Sequence, residues 1–132
     1  MIKKKNYYND IYNKGDFVKK IKYKDFKIKK NNIFIKDKKF TDDKSIIIFY
    51  APWCFHCNKI YDDVRELSIS NLNKFKIGAV NINDNKNKNY LLSDILDIKT
   101  IPTAYIIKNK KLIKFDNDFN FENLFYYINI NI

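Results

Sequence analysis

From residue 45 onward the hydrophobic positions fall into seven segments whose periods differ. Ser45-Ile46-Ile47-Ile48-Phe49-Tyr50-Ala51 is β-branched and aromatic, apolar at consecutive positions, and closed by Pro52. A run this short, with no polar face, predicts a central strand covered on both sides. Beyond it, Cys57, Ile60, Tyr61, Val64 and Leu67 recur at steps of three and four, which is one face of a helix. Residues 75–82 read as a second strand, 83–89 as a polar loop, and 90–96 as a helix carrying Leu91, Leu92, Ile95 and Leu96. Pro102 then opens a strand over 103–107, and the turn 108–111 leads into a further strand over 112–115. Phe121, Leu124, Phe125 and Ile128 mark a last helix, whose aromatics, with Tyr126 and Tyr127, are expected to fill core. The order β-α-β-α-β-β-α implies a layered α/β domain, parallel strands first and a hairpin last.

Upstream the pattern is weaker. Phe26-Lys27-Ile28-Lys29 and Ile33-Phe34-Ile35 flank Lys30-Asn31-Asn32, which reads as a hairpin. Residues 36–44 hold only Phe40 as an apolar residue and read as a connection or a short helix.

Composition changes this picture in one respect. Lys (25), Asn (19) and Ile (22) make up half of the 132 residues, the mark of an AT-biased coding sequence. The net charge is +11, and residues 1–30 contribute +8 of it through eleven Lys against Asp10, Asp16 and Asp25. Between Lys3 and Lys30 the lysines interleave with Tyr7, Tyr8, Tyr12, Phe17, Tyr23 and Phe26. Such a pattern can bind nucleic acid through phosphate contacts and stacking. The alternative is that codon bias supplies the lysines while the aromatics cover a sheet edge, and that account is preferred. The first residues, Met1-Ile2-Lys3-Lys4-Lys5-Asn6-Tyr7-Tyr8, have no apolar stretch behind the basic start, and no run is long enough to span a bilayer. A cytoplasmic protein without membrane association is expected, a virion or other compartment being the alternative.

Chemistry concentrates at Trp53-Cys54-Phe55-His56-Cys57, which contains both cysteines and the single histidine of the chain. Zinc normally takes four protein ligands, or three plus water. Two cysteines with a histidine between them cannot supply that set within one chain, so no metal is expected. Sharing a metal or an iron–sulfur cluster across a dimer is a weaker alternative. The redox reading has a positive case: the pair sits where a buried strand gives way to a helix, and a helix N-terminus favours thiolate over thiol. Cys54, at the exposed helix start, is then the attacking nucleophile, and Cys57, one turn in, resolves the mixed disulfide.

Phe49-Tyr50-Ala51-Pro52-Trp53-Cys54-Phe55-His56-Cys57 resembles the active-site stretch of the protein disulfide isomerase branch of the thioredoxin superfamily. Ile101-Pro102-Thr103 resembles the cis-proline loop of that fold. The resemblance covers residues 45–132 and implies a thioredoxin fold, a central mixed sheet flanked by helices. It leaves residues 1–30 as a basic N-terminal extension or variant first elements, ahead of a thioredoxin-like domain over 31–132. The family opens with a strand and a helix before the motif-bearing strand, and residues 36–44 are too short for that helix.

The resemblance further implies a thiol–disulfide oxidoreductase acting on protein thiols and disulfides. It would work with a recycling reductase or oxidase and with no cofactor beyond the Cys54–Cys57 disulfide. Trp53 would shield that disulfide, and Ile101 with a cis Pro102 would align an extended substrate. His56 resembles the oxidising, isomerase-like members, while Ile101-Pro102-Thr103 resembles the reducing thioredoxins, so the direction stays open. Phe55 stands where Gly or Pro is commoner, either as an added substrate contact or as neutral drift. Family members bury an acid six residues before the first Cys, with a Lys partner on the next strand. Here Ile48 and Ala79 occupy those places, which predicts slow proton loss at Cys57 unless water or His56 takes over. A non-catalytic binding module on the same fold is the alternative to an enzyme.

Overall fold

The computed structural model describes residues 10–13, 18–30, 32–37, 40, 45–70, 76–108, 111–116 and 120–130. Its strands are β1 (Lys19–Lys20), β2 (Phe26–Lys29), β3 (Asn32–Ile35), β4 (Ser45–Tyr50), β5 (Lys76–Asn81), β6 (Thr103–Lys108) and β7 (Lys111–Lys114). The helices are α1 (Phe55–Lys59), α2 (Tyr61–Ser70), α3 (Tyr90–Ile95) and α4 (Phe121–Ile130). All seven strands join one sheet in the order β1-β5-β4-β6-β7-β3-β2. β4 lies parallel to β5 and antiparallel to β6, and every residue of β4 is buried. The unbroken apolar run therefore lies where such a run has to lie, with a layer on each face.

Alternation along β4 divides the core. Ile46, Ile48 and Tyr50 join Cys57, Ile60, Val64, Leu67 and Leu124 on one face. Ile47 and Phe49 join Ile21, Phe26, Ile33, Ile35, Phe40 and Leu92 on the other. On β5, Gly78 lies beside Ile47 in the ladder. A Cβ there would run into Ile21 Cδ1 and come within 2.9 Å of Ile47 Cδ1, so the missing side chain is what lets the segment after β1 cross the sheet. α3 is closed just past its C-cap Leu96 by Asp97, whose φ of 55° is left-handed, while Ile98 N–H returns to the Ser93 carbonyl at 2.9 Å. That cap turns the chain towards Ile101 and Pro102.

Two expectations need correction. β2 and β3 pair from Phe26↔Ile35 to Lys29↔Asn32, so the boundary placed at 30/31 falls inside a hairpin of the one sheet. β1 pairs with β5 at the opposite edge, so of the two readings of residues 1–30 the described part, with Lys19–Lys20 and Phe26–Lys29 in the sheet, agrees with variant first elements rather than an appended arm. A hairpin added beyond β7 thus follows β1 where the family has its first helix. The second correction concerns α4: Leu124 is buried, but Phe125 and Tyr126 are exposed rather than core. Of the connection over 36–44, the structure describes residues 36, 37 and 40; the rest, with Tyr7, Tyr8 and Phe17, lies outside the described residues, as do the side chains of Phe121 and Tyr127.

Candidate active site

The site lies at the C-terminal end of β4. Pro52 and Trp53 form a turn, and Cys54 is the N-cap of α1 in an extended conformation. Its sulfur accepts the Cys57 backbone N–H at 3.1 Å and donates to the Ile101 carbonyl at 3.8 Å. The Ile101–Pro102 peptide bond is cis, as the resemblance implied. Cys54 is only 7% exposed, less than its place at a helix start suggested, because the Ile101–Pro102 turn packs over it. Both cysteines are free thiols, and Cys57 is fully buried. Burial pushes the Cys57 thiol upward, and its hydrogen bond with Cys54 pushes the same way.

The other sequence candidates sit on the rim. Trp53 is half-buried against the α1/α2 side of the core, and Ile101 packs there too. Phe55 is 81% exposed beside Cys54, and His56 is exposed on the same turn. Ile48 and Ala79, the apolar replacements for a charged pair, are direct ladder partners, and both are fully buried. No group of three or more His, Cys, Asp or Glu side chains stands together for a metal ion among the described residues.

Sequence reasoning missed what lies beneath Cys57. The Tyr12 hydroxyl donates to the Cys57 carbonyl at 2.7 Å, across 45 residues of chain. The Tyr12 ring stacks on Tyr50 at 4.3 Å and meets Tyr61 edge-on at 5.3 Å. Asp10 accepts from the Tyr12 N–H at 3.0 Å, from the Tyr50 hydroxyl at 2.6 Å and from Lys20 Nζ at 2.6 Å. Burial holds both tyrosine hydroxyls protonated far above the usual phenol range, and for Tyr50 the Asp10 hydrogen bond adds to it. Two lysines of the basic stretch are thus engaged internally, Lys20 with Asp10 and Lys19 with Asp37. The one available signal was alternation, since Tyr50 faces the same way as Ile48 and invites a partner for its hydroxyl.

Two thiols three residues apart at a strand-to-helix junction, opposite a cis-proline turn, define a dithiol site on a mixed α/β sheet. The chain belongs to the thioredoxin family, whose model matches residues 24–129. It is 33% identical over 72 residues to the protein disulfide-isomerase MPD1 of Saccharomyces cerevisiae, covering 54% of this chain and 22% of that one. It is 30% identical over 73 residues to the thioredoxin of Haemophilus influenzae, covering 55% and 64%. The chain thus spans about a fifth of the yeast protein and less than two thirds of the bacterial one. In structure it resembles the J-Trx1 fragment of ERdj5, with a TM-score of 0.67 at 20% identity over 92% of this chain and 55% of that one. Chloroplastic thioredoxin z superposes with a TM-score of 0.64 at 18% identity, over 86% and 92%. These relatives support a redox role for the domain in general.

Proposed function

We propose that the chain is a thiol–disulfide oxidoreductase that exchanges electrons with protein substrates through Cys54 and Cys57. The observation that carries this reading is the placement of the Cys54 sulfur between the Cys57 N–H and the Ile101 carbonyl beside cis Pro102. A donor aimed at the sulfur from one side and a cis-proline backbone turn on the other suit a nucleophile that meets an extended chain.

In the reducing direction, the Cys54 thiolate attacks one sulfur of a substrate disulfide. That S–S bond breaks, the second substrate sulfur leaves as thiolate and takes up a proton, and a mixed disulfide remains on Cys54. Cys57 then loses its proton and attacks the Cys54 sulfur. The Cys54–Cys57 bond forms, the remaining substrate sulfur leaves, and two electrons have passed from protein to substrate. The reverse sequence oxidises a dithiol. A recycling reductase serves the first direction and an oxidase the second, with no cofactor beyond the disulfide itself.

The test is the reduction potential of the pair in glutathione buffers, together with insulin reduction by the wild type and by Cys54→Ser. About 30 mV is a tenfold change in a two-electron equilibrium, so reducing and oxidising behaviour separate readily. A reversible disulfide with turnover lost in Cys54→Ser is expected. A pair that forms no reversible disulfide refutes the enzyme, and a partner still bound by Cys54→Ser without turnover in either protein establishes a binding module.

A further inference from the structure

The hairpin of β2 and β3 leaves a strand edge of the sheet open, and the backbone there has a fixed direction. Lys36 N–H donates to the Asp25 carbonyl at 2.8 Å, and the same register runs on through Lys27↔Phe34 and Lys29↔Asn32. Hydrogen-bonded and non-hydrogen-bonded pairs alternate in an antiparallel ladder. Lys27 and Lys29 therefore turn their backbone groups inward to β3, while Ile28 turns its N–H and C=O outward. β2 is the last strand of the sheet, so no strand among the described residues meets them.

The side chains above and below this edge differ. Phe26 and Ile28 point to the α3 side of the sheet, where Phe26 is buried and Ile28 is 39% exposed. Lys27 and Lys29 point to the other side, and with Phe34 and Ile35 they line a recess of about 290 Å³. Cross-strand pairing sets Lys111 beside Phe34 and Lys108 beside Lys111, so the lysines continue across that side of the sheet. Lys19 and Lys20 on β1 are matched to Asp37 and Asp10. Lys27, Lys29, Lys108 and Lys111 form no ion pair among the described residues. Their arrangement, rather than the abundance of lysine in the chain, sets this side apart.

We propose that the β2 edge is a docking site for an extended acidic segment of a partner protein, which adds to the sheet as a further strand. Main-chain bonds to Ile28 supply the pairing, and alternate side chains select the partner. Every second residue of the segment falls on the lysine side and is an Asp or Glu facing Lys27 and Lys29. The residues between them fall on the α3 side and are apolar, covering Ile28. Single-stranded nucleic acid has the charge but neither the backbone pairing nor this alternation. The site lies four strands from β4, about 19 Å at the usual strand spacing, and so leaves the dithiol open. It does not depend on the exchange proposed above.

The probe is a fluorescein-labelled peptide, Glu-Val-Glu-Val-Glu-Val, titrated against the full chain at low salt. Glu-Glu-Glu-Val-Val-Val and hexathymidylate serve as comparisons. The alternating peptide is expected to bind saturably, about tenfold or more tighter than either comparison, and to weaken as salt rises. Amide shifts should centre on residues 26–29, with hydrogen exchange at Ile28 slowed. Lys27→Glu combined with Lys29→Glu should weaken binding about tenfold or more. Ile28→Pro should do the same with both lysines intact, because proline is tolerated where its nitrogen faces away from the neighbouring strand. The amide measurement uses the unaltered chain, so it decides the matter should a variant fail to fold. A comparison ligand that binds as tightly, shifts centred on Cys54 and Cys57, or no binding at about 1 mM peptide overturns the proposal.

Discussion

Raising the pH should unfold the reduced protein sooner than its composition suggests, and Cys57 sets the size of the effect. The Cys57 thiol is neutral in the folded and unfolded chains alike below pH 8. In the unfolded chain it ionises near pH 8.5, the ordinary value. In the folded protein complete burial and the hydrogen bond with Cys54 hold it protonated well above that. Between the two values the native state binds one proton more than the unfolded state, so stability is fully present below pH 8.5 and falls as the pH rises. The slope is about 1.4 kcal/mol per pH unit, giving a loss of about 2 kcal/mol by pH 10 from this one thiol. Urea unfolding at pH 7.5 and pH 10 under reducing conditions, for the wild type and for Cys57→Ala, measures it. Cys54 and the tyrosines are common to both proteins, so the difference between the two alkaline losses isolates Cys57. Alkaline losses that agree within about 0.5 kcal/mol would show that Cys57 reaches water in the folded state, and the account of its burial would be wrong.

Two more substitutions probe the packing around the site. Gly78→Ala should lose about 1–3 kcal/mol, because the new methyl group meets Ile21 and Ile47 in a filled core; thermal unfolding of the variant measures this, and an unchanged midpoint would contradict the close crossing after β1. Ile48→Glu puts a lone carboxylate at a fully buried position beside Ala79 and should lose about 3–5 kcal/mol at pH 7. Burial raises such a carboxyl, so the loss should ease as the pH falls and the group becomes neutral; urea midpoints at pH 7 and pH 5 that coincide would argue against it.

The second half of the chain was legible because each element there carries a single dominant pattern. The run 45–51 had no polar face, and it is the buried centre of the sheet. The spacing from Cys57 to Leu67 marked one helical face, though not the break at Ile60 that separates α1 from α2. The cis bond at Pro102 followed from the motif it sits in. The first third was harder, because eleven of its first thirty residues are lysine, and lysine carries little information about local structure. β1 is two residues long and has no pattern of its own; its place is fixed by pairing with Gly78 and Ala79, far along the chain. Tyr12 and Asp10 could not be assigned for the same reason, since their partners Cys57, Tyr50 and Lys20 are joined to them only by the fold. On α4 the error had another source: Phe125 falls at core spacing beside Leu124 and Tyr126 is aromatic, yet both are exposed.

The hairpin at the far side of the sheet also decides which strand edge the sheet would offer to another copy of the chain. A sheet that ended at β7 would offer an open ladder flanked by Leu112 and Ile113. With β3 and β2 laid beyond it, the open ladder is that of β2, where Lys27 and Lys29 alternate with Phe26 and Ile28. Bringing two such edges together would line up like charges, a common means of blocking edge-to-edge growth. That repulsion acts through solvent and fades as added ions shorten its reach to about 8 Å at physiological strength. Self-association, if it occurs along this edge, should therefore grow with ionic strength, the reverse of what charge-driven pairing would give.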